Sequence, residues 1–225
     1  MSAIRYKKIN SITKKTRMNY MMKRYAMECV GTFFLTVAIS VISNPLAIGL
    51  VLMAMIYVGG HISGAHFNPA ISFVCLIQNR LNFANMAKYM LSQILGAFLG
   101  LCFFSMITDN SFALTIVPGS PILAPMAIEG LLVLLFAWVY LAMNLMNRYK
   151  DTAVPGIVLG LTLLAIASTE WGLFNPAVAC ASMVCSAFKE GGAALSMSNI
   201  MVYIVGPLLG AFGASMMFNY FKSEA

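Results

Sequence analysis

The chain has 225 residues, of which 60% are hydrophobic and only 9% are charged. Soluble domains carry about 25% charged residues, so this composition excludes an ordinary soluble enzyme and indicates an integral membrane protein. The formal net charge is +7, but eight of the 14 Lys and Arg residues lie before residue 25. Basic residues beside a hydrophobic run set membrane topology. The positive charge therefore does not predict nucleic-acid binding.

Hydrophobic runs recur along the chain, and they predict six membrane-spanning helices. The second and fifth runs are short and contain glycine, so their lengths are the least well defined. In chain order, the cores of the runs lie at about Cys29–Ile42, Leu46–Val58, Tyr89–Ile107, Ile122–Met146, Pro155–Ser168 and Met201–Phe221.

The distribution of basic residues predicts that both termini are cytosolic. With six spans, this orientation places 13 of the 14 basic residues on the cytosolic side and leaves only Lys189 outside, in keeping with the positive-inside rule. Residues 1–23 then form a basic cytoplasmic segment, which can also touch anionic lipid, and residues 24–225 form one channel domain. The compact loops and the lack of an organelle-targeting tail favour a prokaryotic inner membrane.

An internal duplication organises the chain into residues 24–107 and 122–221. Each half contains an intramembrane Glu, a mid-span Gly 19 residues before an Asn-Pro-Ala tripeptide, and a later Leu-Gly-Ala-Phe sequence. Because each half has three spans, the second half enters the membrane from the opposite face, which predicts an inverted repeat. We expect the two mid-span glycines to let helix backbones cross closely. The matched pairs are Glu28 and Glu129, Gly49 and Gly156, Asn68 and Asn175, and Gly96 and Gly210.

Each Asn-Pro-Ala tripeptide predicts the start of a short helix inside the membrane. Asn is a good N-cap, and Pro is favoured at the first helical position. The predicted helices, Pro69–Gln78 and Pro176–Ala187, reach only about half-way across a bilayer at 1.5 Å per residue. Arriving from opposite faces, their partly positive N-termini would meet near the centre, where the Asn amides can donate hydrogen bonds into a passage. The two tripeptides are Asn68-Pro69-Ala70 and Asn175-Pro176-Ala177.

The segments before these tripeptides, residues 60–67 and 170–174, are predicted to be irregular. Irregular backbone at membrane depth is tolerated where it lines a watery cavity, so its carbonyls would form a series of acceptors. A neutral solute that both donates and accepts could follow that series, while cations meet the positive helix ends. The pattern therefore predicts passive conduction. The carbonyls in question belong to Gly64, Ala65, His66, Phe67, Trp171, Leu173 and Phe174.

With these motifs the chain resembles the aquaporins, the major intrinsic protein family of water and glycerol channels. The matching residues are the sequence from Gly60 to Ala70, the second Asn-Pro-Ala, the paired acids and the sequence from Gly206 to Ala211. The resemblance implies an all-α membrane fold of six tilted helices and two re-entrant half-helices in an inverted repeat. It also implies a pore in each protomer of a homotetramer. In such a channel, Glu28 and Glu129 would be buried and would anchor the two pore loops.

One position departs from the family pattern. Most members have Arg directly after the second Asn-Pro-Ala, where it forms one wall of the outer filter, whereas this chain has Val178. Family spacing gives Ile48, Leu163 and Gly172 as the other filter positions, with Thr162 as the alternative to Leu163. Such an apolar filter predicts either weaker discrimination against larger uncharged solutes (glycerol, urea or ammonia-like) or slow water flux through a hydrophobic gate.

Other functions fit the residues less well. His61 and His66 are five positions apart and do not share a helix face, so we expect no metal site and no cofactor. Catalysis lacks a plausible acid and base in one place, so an enzyme is not expected. A secondary transporter would share the inverted repeat but would usually need an ion site or an acidic relay beyond Glu28 and Glu129, although an intramembrane acid can carry protons. A non-conducting structural tetramer also remains open.

Overall fold

The computed structural model describes residues 14–110, 112, 121–149, 152–169, 172–190 and 196–222, and all regular structure in these residues is helical. Two segments, Ala38–Ile42 and Met201–Val205, are π-helical and continue neighbouring α-helices. The α-helices are α1 (Lys14–Val37), α2 (Pro45–Ser63), α3 (Pro69–Ile77), α4 (Phe83–Thr108), α5 (Leu123–Leu145), α6 (Val154–Ala167), α7 (Pro176–Glu190), α8 (Met197–Ile200) and α9 (Gly206–Phe221).

Within the described ranges, five helical segments are long and apolar enough to cross a membrane. The fifth run predicted from the sequence forms α6, which has 14 residues and is therefore only about 21 Å long. That length is less than the roughly 30 Å of a hydrocarbon core. The five spanning segments are Met18–Ile42, Pro45–Ser63, Phe83–Thr108, Leu123–Leu145 and Met197–Phe221.

The long helices pack in matching pairs within each half of the chain. Helix α1 packs against α4, and α5 packs against α9, while α2 and α6 join the two halves. The short helices cross over: α3 lies against α9, and α7 lies against α4. Each short helix is therefore held by the last long helix of the other half.

Glycines allow the closest helix crossings. A methyl group built on Gly96 would overlap the Cys29 carbonyl oxygen, and one built on Gly210 would overlap that of Gly130. The residues that they contact occupy matching positions in the two repeats, because Cys29 directly follows Glu28 and Gly130 directly follows Glu129. The same backbone contact thus recurs in each half, and no larger residue fits it without separating the helices.

The crossing between α2 and α6 differs from the expectation. A Cβ on Gly49 would lie 2.6 Å from the Gly160 carbonyl oxygen, and a Cβ on Gly160 would lie 2.8 Å from that of Gly49. Gly156, which the repeat pairs with Gly49, instead faces the Tyr57 ring, whose Cζ atom would lie 2.8 Å from a Cβ there. The backbones therefore cross at Gly49 and Gly160, one helical turn from the predicted partner.

The predicted irregular segment before the first Asn-Pro-Ala is shorter than expected. Residues 60–63 form the last turn of α2, and only residues 64–67 are non-helical. Gly64 ends the helix with φ of 99°, a left-handed conformation that favours glycine. Side chains bind the carbonyl of the last helical residue, because the Ser63 carbonyl accepts hydrogen bonds from Tyr89 and Arg24.

Candidate functional site

Both short helices begin at the proline of an Asn-Pro-Ala sequence. The Asn68 Oδ1 atom accepts a hydrogen bond from the Ala70 N–H at 2.8 Å, and Asn175 Oδ1 accepts one from the Ala177 N–H at 3.1 Å. These bonds satisfy backbone donors that the first turn of a helix leaves free. Helix α3 ends at Ile77 and α7 ends at Glu190, so the ends differ from the sequence estimate by one and three residues.

The two helix tips are tied to each other by a reciprocal pair of hydrogen bonds. Asn68 Nδ2 donates to the Phe174 carbonyl at 2.8 Å, and Asn175 Nδ2 donates to the Phe67 carbonyl at 3.0 Å. Each Asn is therefore bound to the loop of the opposite half. Because an amide nitrogen carries two hydrogens, each Asn keeps a second N–H for another acceptor.

Glu28 holds the first loop from inside the protein. Its Oε1 atom accepts from the His66 N–H at 3.0 Å, and its Oε2 atom accepts from the Phe67 N–H at 2.7 Å. Gln93 Nε2 donates a third hydrogen bond to Oε2 at 2.8 Å. Two consecutive N–H groups converge on one carboxylate, as in backbone anion nests, and this fixes which way the loop carbonyls point.

Glu129 holds the second loop in the corresponding manner. Its carboxylate accepts from the Leu173 N–H and, at 2.7 Å, from the Phe174 N–H. Gly172 has φ of 87°, and a Cβ there would lie 2.8 Å from Glu129 Oε1, so glycine is needed for the carboxylate to approach. Trp171, predicted to contribute a carbonyl, lies outside the described residues.

Three of the predicted acceptor carbonyls already receive hydrogen bonds from side chains. Those of Phe67 and Phe174 accept from the two Asn amides, and that of Gly64 accepts from the Tyr140 hydroxyl at 3.0 Å. A carbonyl oxygen has two lone pairs, so each of these atoms retains one. The acceptor series is therefore weaker at these points than at Ala65, His66 and Leu173.

A narrow cavity lies where the two tips meet. The space that the centre of a water molecule can occupy is about 20 Å³, whereas one water needs about 10–15 Å³. The cavity thus has room for about one water molecule. Its polar lining residues are His66, Asn68 and Asn175, and its apolar lining comes from Leu35, Ile39, Leu52, Phe136, Leu163 and Phe174.

Of the four predicted filter residues, Leu163 lines this cavity, and the described residues Ile48, Gly172 and Val178 do not. Ile48 is buried in the hydrophobic core that also contains Leu163. Val178 is fully buried in a separate cluster with Ala97 and Leu101 of α4. The alternative residue Thr162 is half-buried and donates its hydroxyl proton to the Val158 carbonyl of its own helix.

The cavity also contains residues that the sequence did not single out. Leu35 and Ile39 come from the end of α1, and Leu52 and Phe136 come from α2 and α5. The four-residue spacing of Leu35 and Ile39 places them on one helix face, but nothing in an apolar sequence distinguishes that face from the lipid-facing one. Among the described residues, no cluster of His, Cys, Asp or Glu could hold a metal ion.

Opposed half-helices tied at their tips beside a narrow cavity define a membrane channel. Residues 16–218 match the sequence model of the family described as "MIP: Major intrinsic protein". The chain is 31% identical over 218 residues to the glycerol uptake facilitator protein-like 6 of Lactiplantibacillus plantarum, covering 90% of this chain and 100% of the relative. It is 28% identical to aquaglyceroporin AqpS of Rhizobium meliloti, covering 84% of this chain and 78% of the relative. The chain belongs to the major intrinsic protein family.

A solved structure supports the fold independently. The aquaglyceroporin from Plasmodium falciparum superimposes with a TM-score of 0.71 at 20% sequence identity, covering 91% of this chain and 96% of that chain. The predicted aquaporin-like fold is thereby confirmed. Family membership also confirms the predicted function class: the protein is an integral multi-pass membrane channel for water and small solutes.

Proposed function

We propose that this channel conducts glycerol-like and other small uncharged solutes together with water, through the point where the two half-helices meet. The main support is the reciprocal bonding of Asn68 and Asn175 beside the cavity. The tips contribute free N–H groups and the positive ends of two helix dipoles, which favour a neutral hydrogen-bonding solute over a cation. The names of the relatives, a glycerol uptake facilitator and an aquaglyceroporin, agree with this range of solutes.

We propose further that the predicted filter residues Ile48, Leu163, Gly172 and Val178 make the outer end of the passage apolar, with Leu163 on its wall. Val178 carries no charge and is fully buried in its cluster with Ala97 and Leu101, so it offers no donor to a passing solute. Water that enters an apolar constriction loses its hydrogen bonds to other water molecules without compensation. The carbon backbone of a polyol has no such hydrogen bonds to lose. Because the cavity has room for about one water, we expect slow, single-file flux rather than a broad pore.

Stopped-flow light scattering on proteoliposomes tests the proposal directly. The variants Asn68→Asp and Asn175→Asp remove the donated N–H groups and should reduce glycerol and water flux at least tenfold. Asn44→Asp is the matched control, because Asn44 is an exposed N-cap of α2 and Asp caps a helix equally well. Unchanged flux in both pore variants would show that solutes do not pass the helix tips.

The same assay separates a channel from the two alternatives. Flux through a channel should rise linearly with the solute gradient and should not depend on the proton gradient. Saturating or proton-driven flux would instead favour a secondary transporter using Glu28 or Glu129. Empty-liposome rates for every solute in a panel of water, glycerol, urea and ammonia would favour a structural role.

The proposed setting is a homotetramer in a prokaryotic inner membrane, with both termini cytosolic. The eight basic residues before residue 25 and the many exposed Leu, Phe and Met side chains on the long helices support a lipid-embedded assembly. We also propose one channel domain, residues 24–225, with its repeats at 24–107 and 122–221. Native mass spectrometry tests the tetramer, and protease protection of tags at each end in inverted vesicles tests the orientation.

A further inference from the structure

A buried chain of hydrogen bonds leads from Glu28 to the cavity. Gln93 Nε2 lies 2.8 Å from Glu28 Oε2 and 2.9 Å from Ser72 Oγ. Ser72 Oγ in turn lies 3.1 Å from the Nδ1 atom of His66. Gln93 and Ser72 are fully buried, and His66 is only 6% exposed. The chain therefore joins a loop-anchoring carboxylate to a residue that lines the cavity.

The direction of each hydrogen bond in this chain follows from its members. The Gln93 amide must turn its nitrogen toward the Glu28 carboxylate, because its oxygen would face another acceptor there. That nitrogen can only donate, so Ser72 Oγ accepts from it. The Ser72 hydroxyl proton must then go to another acceptor, and His66 Nδ1 is the acceptor within reach among the described residues.

The Gln93 amide keeps this orientation at a cost. Its Oε1 atom is buried and has no hydrogen-bond partner among the described residues, and an unsatisfied buried acceptor is unfavourable. Turning the amide over would bring that oxygen against the Glu28 carboxylate and remove both donated bonds. The carboxylate therefore determines the orientation, and the orientation determines the proton arrangement at Ser72.

We propose that Glu28, Gln93 and Ser72 hold His66 in the tautomer that carries its proton on Nε2, so that His66 donates a hydrogen bond to solutes in the cavity. This inference rests on the proposed function and deepens it. With Nδ1 accepting from Ser72, a neutral imidazole has its one N–H on Nε2. His66 then adds a third donor to those of Asn68 and Asn175. A permeating solute must therefore present acceptor oxygens or nitrogens as it passes the first loop.

The second repeat lacks this arrangement. Ser72 lies four residues after Asn68, and the corresponding residue after Asn175 is Ala179. Leu173 takes the place of His66 two residues before the Asn, and Pro207 takes the place of Gln93 three residues before the paired Gly. Glu129 accordingly holds its loop with backbone hydrogen bonds alone among those described. The added donor therefore lies on one side of the helix junction only, which is the proposed cytosolic side.

Nitrogen NMR of labelled histidine tests the tautomer without relying on transport. The chain has two His residues, so His61→Gln in lipid bilayers leaves the signals of His66 alone. At pH 8, above the ordinary His pKa of about 6.5, we expect a protonated Nε2 and an unprotonated Nδ1. A protonated Nδ1, or an equal mixture of tautomers, would overturn the inference.

Substitutions in the same background identify Ser72 as the positioning residue. Ser72→Ala should produce a mixture of tautomers, whereas Ser72→Thr keeps the hydroxyl and should keep the single form. Ser182→Ala is the matched control, because Ser182 is a fully buried serine on α7 that donates to the Phe112 carbonyl instead. An unchanged single tautomer in Ser72→Ala would contradict the proposed role of the hydroxyl.

Flux measurements on the same proteins separate this inference from the proposed function. We expect Ser72→Ala to slow glycerol flux severalfold and Ser72→Thr to restore it. Normal glycerol flux in a protein whose His66 is a tautomer mixture would overturn the inference and leave the channel function standing. A single Nε2–H tautomer in a protein without any flux would support the hydrogen-bond chain and overturn the function.

Discussion

The Glu28 carboxylate offers a sharp test of how the first loop is held. It accepts three hydrogen bonds, one at Oε1 from the His66 N–H and two at Oε2 from the Phe67 N–H and Gln93. Glu28→Gln replaces one of these oxygens with an NH₂ group, which cannot accept. In either orientation one loop N–H, that of His66 or that of Phe67, loses its acceptor.

The expected loss of stability follows from that single lost bond. A hydrogen bond to a charged group contributes about 1.5–3 kcal/mol, so the free energy of unfolding should fall by a similar amount. For a chain of this length, about 2–4 °C of melting temperature corresponds to each kcal/mol, which gives a decrease of roughly 3–12 °C in thermal unfolding followed by circular dichroism in micelles. Glycerol flux should fall as well, because the loop carbonyls would no longer be held.

A matched variant controls for the loss of a negative charge. Asp109 is exposed and ends α4 in the left-handed conformation, with φ of 54°, which Asn adopts equally well. Asp109→Asn should therefore leave the melting temperature within about 2 °C, as ordinary surface substitutions do. If both variants shift by the same amount, or if Glu28→Gln unfolds like the parent protein, the carboxylate does not anchor the loop.

Two further predictions concern the cavity wall and the helix crossings. Leu163→Ala should widen the cavity and raise glycerol flux severalfold over water flux in stopped-flow assays. Thr162→Ala alters a side chain outside the cavity and should not have this effect. Equal effects of the two variants would show that Leu163 does not form the cavity wall. Gly96→Ala should destabilise the protein by at least about 1–3 kcal/mol in thermal unfolding, because its methyl group meets the Cys29 carbonyl. Gly60→Ala should be neutral or stabilising, since a methyl group there would lie 3.8 Å from an Ile56 methyl carbon, and a comparable loss there would refute the packing argument.

Local signals made the helix starts predictable from the sequence. Asn followed by Pro specifies a cap and a first helical residue within three positions, so Pro69 and Pro176 were identified without knowledge of the fold. The duplication paired Glu28 with Glu129 because each begins an apolar run and precedes the other landmarks of its repeat in the same order. In the structure, both carboxylates receive consecutive loop N–H groups.

Contacts between distant segments were not predictable in the same way. The repeat selected Gly156 as the partner of Gly49, but the register between two packed helices depends on side chains such as Tyr57, and the crossing falls at Gly160. The half-helix pattern also predicted an irregular segment at residues 60–63, which instead forms a helical turn whose last carbonyl, that of Ser63, accepts from the Tyr89 and Arg24 side chains. The Gln93 hydrogen bonds could not be predicted, because a single Gln in an apolar helix forms no recurring sequence pattern.

The reciprocal bonds between the asparagines and the opposite loops have a consequence for biosynthesis. The Phe67 carbonyl and the Asn68 amide find their partners at residues 175 and 174, more than 100 residues later in translation. Until the second half has been inserted, the first re-entrant segment lacks those two partners and is held only by contacts within the first half, such as those to Glu28. The nascent chain therefore forms the contact between the two loops late in translation. A ribosome stalled before residue 174 would leave that contact unformed and the first loop accessible to chaperones and membrane proteases.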